Sequence, residues 1–369
     1  MHEKHIIITF SIGTLACMKD IIMGKISIVG AFGKGLILLN GQTVKTKIIA
    51  KEFEKQYGIS NVSCIDTYGL LNNFLSLIKC VLSFFNSENI IILPAHNALK
   101  VLAPWLNFWN FFFHKRLHYV VIGGWLDGYL NKNPIVEKAL RSFTGIYVET
   151  HTMMLNLQKR GFTNIVVMPN CKDVEKQEES RLVYSQKEPF RLVTFSRVMR
   201  QKGIEDVARV VFEINEEVGR RVFELDIYGQ VDKLEMEWFE SLSVKYQLTE
   251  ASSAIKYKGC VPFDESVRVL SEYFALLFPT RFFTEGIPGT IIDSYAAGVP
   301  VISARWESFA DVIDEGMTGV GFEFENWNEL KNILLKIAAK PDVVNMMRQN
   351  CLKKVDDFLP SKVILKIRL

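Results

Sequence analysis

Glu285 opens a stretch, EGIPGTIIDSYAAGVP (285–300), in which a carboxylate, a Gly/Pro turn and an apolar run follow one another. That order suits a site holding a sugar hydroxyl and a phosphate side by side. Gly286 and Gly289 let backbone N–H groups approach an anion, Ile287 and Pro288 shape the turn between them, and a helix from Gly289 and Thr290 would aim its positive end there. Glu285 can accept hydrogen bonds from sugar hydroxyls. Asp293 lies a little over two helical turns on, on roughly the same side and deeper. The plainer alternative is a surface helix bracketed by Gly and Pro, and cations upstream weigh against it.

Those cations stand in RLVTFSRVMRQKGIEDVARVV (191–211). An apolar strand, Leu192 to Phe195, runs into a polar loop with Arg197, Arg200, Lys202 and Gly203, and an amphipathic helix follows. Fixed cations at the carboxyl end of a strand are what a doubly wound sheet offers a phosphate.

Arg197, followed five residues later by the Lys202–Gly203 pair, and Glu285, separated by seven residues from Asp293, resemble the family-four retaining glycosyltransferases of GT-B architecture. One departure stands out: the family's second acid is Glu, and here it is Asp. From about residue 25 onward, GKGLILLNGQTVKT, HYVVIGGWL, SRVMRQKG and TEGIPGTIIDSYAAGVPVI are similar to bacterial enzymes of capsular and exopolysaccharide synthesis. The resemblance implies an α/β chain of two Rossmann-like, doubly wound domains facing each other across a cleft. It also implies transfer of a hexosyl group from a nucleotide diphosphate sugar, most often a UDP-sugar, with retention of configuration. The acceptor would be a saccharide or polyprenyl-linked saccharide.

Under that resemblance Arg197 and Lys202 take the diphosphate, Glu285 grips the donor sugar and Asp293 the ribose diol. His96, after the strand IIILPA, stands beside the donor sugar, and Gly286, Ile287, Pro288, Gly289 and Thr290, with Gly229 and Gly259 at two further strand ends, complete the donor-binding side. Gly33, Lys34 and Gly35 of GAFGKG, with Gly124 of GGW, line the acceptor side. GAFGKG is no Walker loop, because the Gly-Lys-Ser/Thr ending is missing. No metal and no cofactor are implied, since the cations replace the ion that other glycosyltransferases hold with Asp-x-Asp. A sugar-nucleotide epimerase and a non-catalytic scaffold of a polysaccharide assembly complex remain as alternatives with the same fold.

A net charge of +3 over 369 residues is too small to argue for nucleic acid. Cys17, Cys64, Cys80, Cys171, Cys260 and Cys351 show no C-x-x-C spacing, which favours free thiols in a reducing cytoplasm. IIITFSIGTLAC near the start resembles a short signal core, but Thr14 occupies the place where a lipoprotein signal carries Leu. Residues 1–24 therefore read as an extension before a first strand near residue 25.

The elements that must position these residues alternate between strand and helix, which implies parallel sheets. KISIVG, NVSCIDTY, NIIILPA, HYVVIGG, GIYVET and NIVVMP read as strands of a first domain, 25–170. The polar segment 171–189 reads as a linker. FRLVTFS, VFELDIYG, SAIKYKG, FALLFPT and VPVISA supply a second, nucleotide-sugar domain, 190–355, and residues 356–369 return toward the first. PWLNFWNFFFHKRLHY carries aromatics at helical spacing. Core packing is the default reading, and docking on an anionic membrane surface that presents a lipid-linked acceptor is the competing one.

Overall fold

Short apolar runs become buried strands when both faces of a sheet are covered, and the central strands of both sheets here are of that kind. The computed structural model describes residues 25–33, 41–68 and 74–369. The extension 1–24, Lys34 and Gly35 lie outside the described residues. The first sheet is wholly parallel, built from β1 (Ile26–Gly30), β2 (Val62–Asp66), β3 (Asn89–Leu93), β4 (Arg116–Val120), β5 (Gly145–Val148) and β6 (Ile165–Val167), in the order β2-β1-β3-β4-β5-β6. The second, also parallel, holds β7 (Phe190–Phe195), β8 (Phe223–Tyr228), β9 (Ile255–Gly259), β10 (Ala275–Phe278), β11 (Val301–Ala304) and β12 (Gly319–Phe322), in the order β12-β11-β10-β7-β8-β9.

Successive side chains of a strand point to opposite faces, so each sheet feeds two cores. In β3, Ile90 and Ile92 join one cluster while Ile91 and Leu93 join the other. Leu192 and Val193 of β7 divide in the same way. Crossover helices cover both faces. Val207, Ala208, Val211 and Ile214 of the helix Ile204–Val218 are fully buried against the second sheet, and the stop comes at Gly219 in the left-handed region.

Segment 171–189 leaves the first-sheet cluster at Cys171 and runs on with one 3-10 turn, Glu179–Arg181, and Gln177 N–H donates to the Ala296 carbonyl of the second domain. After the helix Trp327–Ala339 the chain continues through Asp342–Asn345 and Arg348–Lys354. Arg348 is fully buried and donates to the carbonyls of Gly298, Tyr273 and Phe274. Farther on, Val363, Ile364 and Ile367 pack in the same cluster as Ile26, Ile28 and Ile91 of the first sheet.

The aromatic helix His96–Phe113 divides its residues. Leu99, Leu102, Ala103 and Leu106 are buried, Trp109 and Phe113 lean on the core, and Phe108, Phe111 and Phe112 remain 57%, 75% and 62% exposed.

Candidate functional site

In each sheet the strand order reverses once, between β1 and β3 and between β7 and β10. Loops leaving the carboxyl ends there diverge and open a crevice, the place where open parallel sheets bind ligands. The loop after β1 brings Phe32 and Gly33, whose N–H groups donate to Asp66 Oδ1 (2.9 and 3.3 Å). The chain after β3 brings His96, that after β7 brings Arg197 to Gly203, and that after β10 brings Thr280 to Gly289.

The pair Lys202 and Glu285 is built by local backbone constraints. A 3-10 turn, Arg200–Lys202, ends at Gly203 with φ 68°. A Cβ at Gly203 would lie 2.0 Å from the Pro279 carbonyl, so only glycine permits this crossing of the β7 and β10 loops. Lys202 is thereby carried to the end of β10. Its Nζ donates to Glu285 Oε1 and Oε2 at 3.0 and 2.8 Å, and Thr280 Oγ1 donates to Oε2 at 2.9 Å. Phe282 lies 4.9 Å from the ammonium. An oriented cation and an oriented carboxylate thus stand together at the switch point.

Other expected donor residues take different places. Arg197 is exposed, with Nη1 3.5 Å from Asp232 Oδ2 rather than beside Lys202. Gly229 N–H donates to the Gly259 carbonyl (2.9 Å), and a Cβ at Gly229 would meet the Ser196 carbonyl. These two glycines thus join the ends of β8 and β9 to the loop after β7. The helix Gly289–Ala296 follows Pro288, and a Cβ at Gly289 would meet nothing within 4 Å, so there is open space beside its first residue. Thr290 Oγ1 is buried without a hydrogen-bond partner among the described residues. Asp293 is 2% exposed and forms a short ion pair with Lys172. Burial raises its pKa, and Lys172 opposes that shift. Its Oδ1 makes no hydrogen bond of normal geometry, with the Ser266 hydroxyl close by.

From the opposite wall, a Cβ at Gly124 would lie 1.9 Å from the Thr284 carbonyl, so the GGW loop abuts the residue before Glu285. The His96 ring packs on Trp125 at 3.8 Å between centroids, and desolvation lowers its pKa, which keeps it neutral near pH 7. Gly123 and Gly124 therefore lie against the segment that carries Glu285, with Trp125 next in the chain and His96 stacked on it. Gly286 differs from its sequence reading. A Cβ there would lie 2.2 Å from Glu149 Oε2, so its missing side chain makes room for a carboxylate of the first domain. Ile287 also has both backbone groups engaged, N–H by Glu149 and C=O by Asn170. Neither peptide group of Ile287 is left for an anion.

Lys45, Glu149, Asn170 and Lys172 were not singled out by sequence reasoning. The available signal was Glu149 itself, an acid directly after the apolar strand GIYV. A cavity of about 490 Å³ lies on the far side of Glu149 and Ile287, lined by His151, Asp311, Lys354, Phe358 and Lys362. Neither Lys202 nor Glu285 lines it, so it is a separate space near the chain crossing.

Residues 189–340 match the family model described as Glycosyl transferases group 1. No curated protein sequence matches the chain. Among solved structures, HepE of Anabaena in complex with UDP superposes with a TM-score of 0.71 at 14% identity, covering 93% of this chain and 98% of that one. A sucrose-phosphate synthase of Thermosynechococcus elongatus gives 0.69 at 14% identity, over 93% and 97%. The lipopolysaccharide outer core galactosyltransferase WaaB gives 0.62 at 16% identity, over 93% and 97%. The chain is thus an α/β protein of the two-domain GT-B fold, and its second domain carries the group 1 glycosyltransferase match across Arg197, Lys202, Glu285 and Asp293.

Proposed function

We propose that this chain is a retaining, metal-independent glycosyltransferase. It moves a hexosyl group from a nucleotide diphosphate sugar, a UDP-sugar, to a saccharide or lipid-linked saccharide in surface polysaccharide synthesis. The observation that carries the reading is the Lys202–Glu285 pair at the switch point, inside the segment matched by the group 1 model. HepE, which shares the fold, was solved with UDP and with UDP-glucose.

As the glycosidic bond to the diphosphate lengthens, negative charge grows on the leaving group while the anomeric carbon becomes oxocarbenium-like. Fixed cations and aimed amides then stabilise the transition state more than the ground state. Lys202 supplies the cation, and the open first turn at Gly289 and Thr290 supplies dipole and amides. Arg197 is exposed and can leave Asp232 for the second phosphate. Glu285, held by Thr280, accepts from the sugar hydroxyls, and His96 faces the sugar from the first domain. In this reading Asp293 takes the ribose diol, which requires its buried carboxylate to exchange Lys172 for a ribose hydroxyl. Gly33 and Gly124 serve the acceptor side, and Lys34 and Gly35, expected there too, lie outside the described residues. Incubation with UDP-sugars, with and without a saccharide acceptor, tests this. A transferred sugar supports it, and an epimerised nucleotide sugar without acceptor would replace it by the epimerase reading.

We further propose that the acceptor is presented at the cytoplasmic leaflet. Among the described residues no helix is long and apolar enough to cross a membrane. Yet Leu82 and Phe85, with Phe108, Phe111 and Phe112, form an exposed apolar face, and residues 89–126 contain no acid. Lys79 and Lys100 are exposed on the same two helices. Apolar anchors among cations suit an anionic surface.

A further inference from the structure

Glu149 follows β5 in the first domain, yet its carboxylate serves the loop of the second. Oε1 accepts from Lys45 Nζ at 2.7 Å and from Gly123 N–H at 3.2 Å, while Oε2 accepts from Ile287 N–H at 2.8 Å. Lys45 also donates to the Val121 carbonyl at 3.3 Å. Both side chains are 2% exposed. Burying two ions is costly unless their polar atoms are satisfied, and here both Glu149 oxygens and the Lys45 ammonium are hydrogen-bonded. The peptide they hold is the three-residue bridge between Glu285 and the helix starting at Gly289. Asn170 fixes the other side of that bridge by donating to the Ile287 carbonyl at 2.9 Å.

The second domain alone therefore does not define the spacing between Glu285 and the first helical turn. We propose that Glu149, anchored by Lys45, is a positioning residue that locks the Gly286–Ile287 peptide from across the crevice, so that docking of the two domains sets the donor-site geometry. The proposal rests on the reading of the Lys202–Glu285 region as the donor site. Glu149 itself touches no donor. A charged acceptor holds an amide more strongly than a neutral one and leaves less freedom in the loop that carries the sugar-gripping acid.

The test uses the full chain in two double variants, K45M/E149Q and K45M/E149M. Each replaces the ion pair by neutral side chains of similar length, so neither strands a buried charge. The first keeps an acceptor for Ile287 N–H and the second removes it. Amide hydrogen exchange over 284–290 without ligand, and UDP affinity by calorimetry, are the two readouts. K45M/E149M is expected to exchange at Ile287 about tenfold faster than wild type and to bind UDP about tenfold more weakly, whereas K45M/E149Q stays within about threefold of wild type in both. Thermal melts check that the two variants are equally folded. Equal exchange in the two variants overturns the proposal, as does faster exchange in K45M/E149M with unchanged UDP affinity. If wild type binds no UDP, the donor reading falls, and the exchange arm alone decides whether Glu149 holds the loop.

Discussion

The Lys202 ammonium reaches both carboxylate oxygens of Glu285, at 3.0 and 2.8 Å, although 83 positions separate the two residues. The pair is only partly shielded, so its contribution to stability is small. Its value lies in orientation, which a site for a sugar joined to a diphosphate requires.

Replacing Lys202 by Ala is expected to lower turnover by about 100-fold or more while the melting profile stays close to wild type. Steady-state kinetics with a UDP-sugar and a saccharide acceptor, beside circular dichroism melts, provide the check. Retained turnover would remove Lys202 from the diphosphate grip.

Lys172 and Asp293 form the opposite kind of pair, buried on both sides. Lys172→Met leaves the carboxylate without its counter-ion and is expected to cost about 3 kcal/mol in urea unfolding at neutral pH. The raised pKa of Asp293 climbs further in that variant. A carboxyl with a raised folded pKa favours the fold most below its unfolded value and loses that benefit as pH rises, so the deficit should shrink on acidification. Adding Asp293→Asn should recover most of the loss at neutral pH.

His118 sits fully buried in β4, with ring nitrogens 3.0 Å from Tyr147 Oη and 3.1 Å from Asn89 Oδ1. Burial, helped by Arg116, lowers its pKa from 6.5 to about 4. Between those values the unfolded chain takes up a proton that the folded chain refuses. Stability is therefore lost as pH falls from 6.5 toward 4, by about 3 kcal/mol. Urea midpoints at neutral and acid pH should show this slope, and His118→Gln should flatten it.

Phe111 and Phe112 are exposed on the aromatic helix, so changing both to Ser should leave stability within about 0.5 kcal/mol. The same change should weaken binding to vesicles containing phosphatidylglycerol severalfold in a flotation assay. Failure of the wild-type chain to float with such vesicles would remove the membrane proposal.

Among the described residues, eleven of the twelve strands are legible in the sequence. Central ones such as β3 and β10 are buried throughout because both faces are covered, while the edge strands β2 and β9 keep polar residues. β12 is not legible, since it contains Gly319 and Gly321. A Cβ at the first would lie 2.2 Å from the Val301 carbonyl, and one at the second 2.6 Å from the Phe309 ring. Glycine there answers neighbours that a linear reading does not contain. The spacing of Lys202 and Gly203 and that of Glu285 and Asp293 is local and therefore visible. Glu149, Asn170 and Lys172 meet their partners 138, 117 and 121 residues away, so even where an acid after the apolar strand GIYV marks Glu149, its partner is not legible locally. Periodicity also leaves the aromatic helix undecided, because nearly all its faces are apolar and only the fold shows which one is covered.

Val363, Ile364 and Ile367 finish a core that begins at Ile26. A ribosome makes every strand of both sheets before it makes them, so the nascent first domain lacks part of this cluster until synthesis passes residue 360. Domains often fold one after another as they emerge. In this chain the earlier domain closes last, and a fragment cut within 171–189 would inherit that opening.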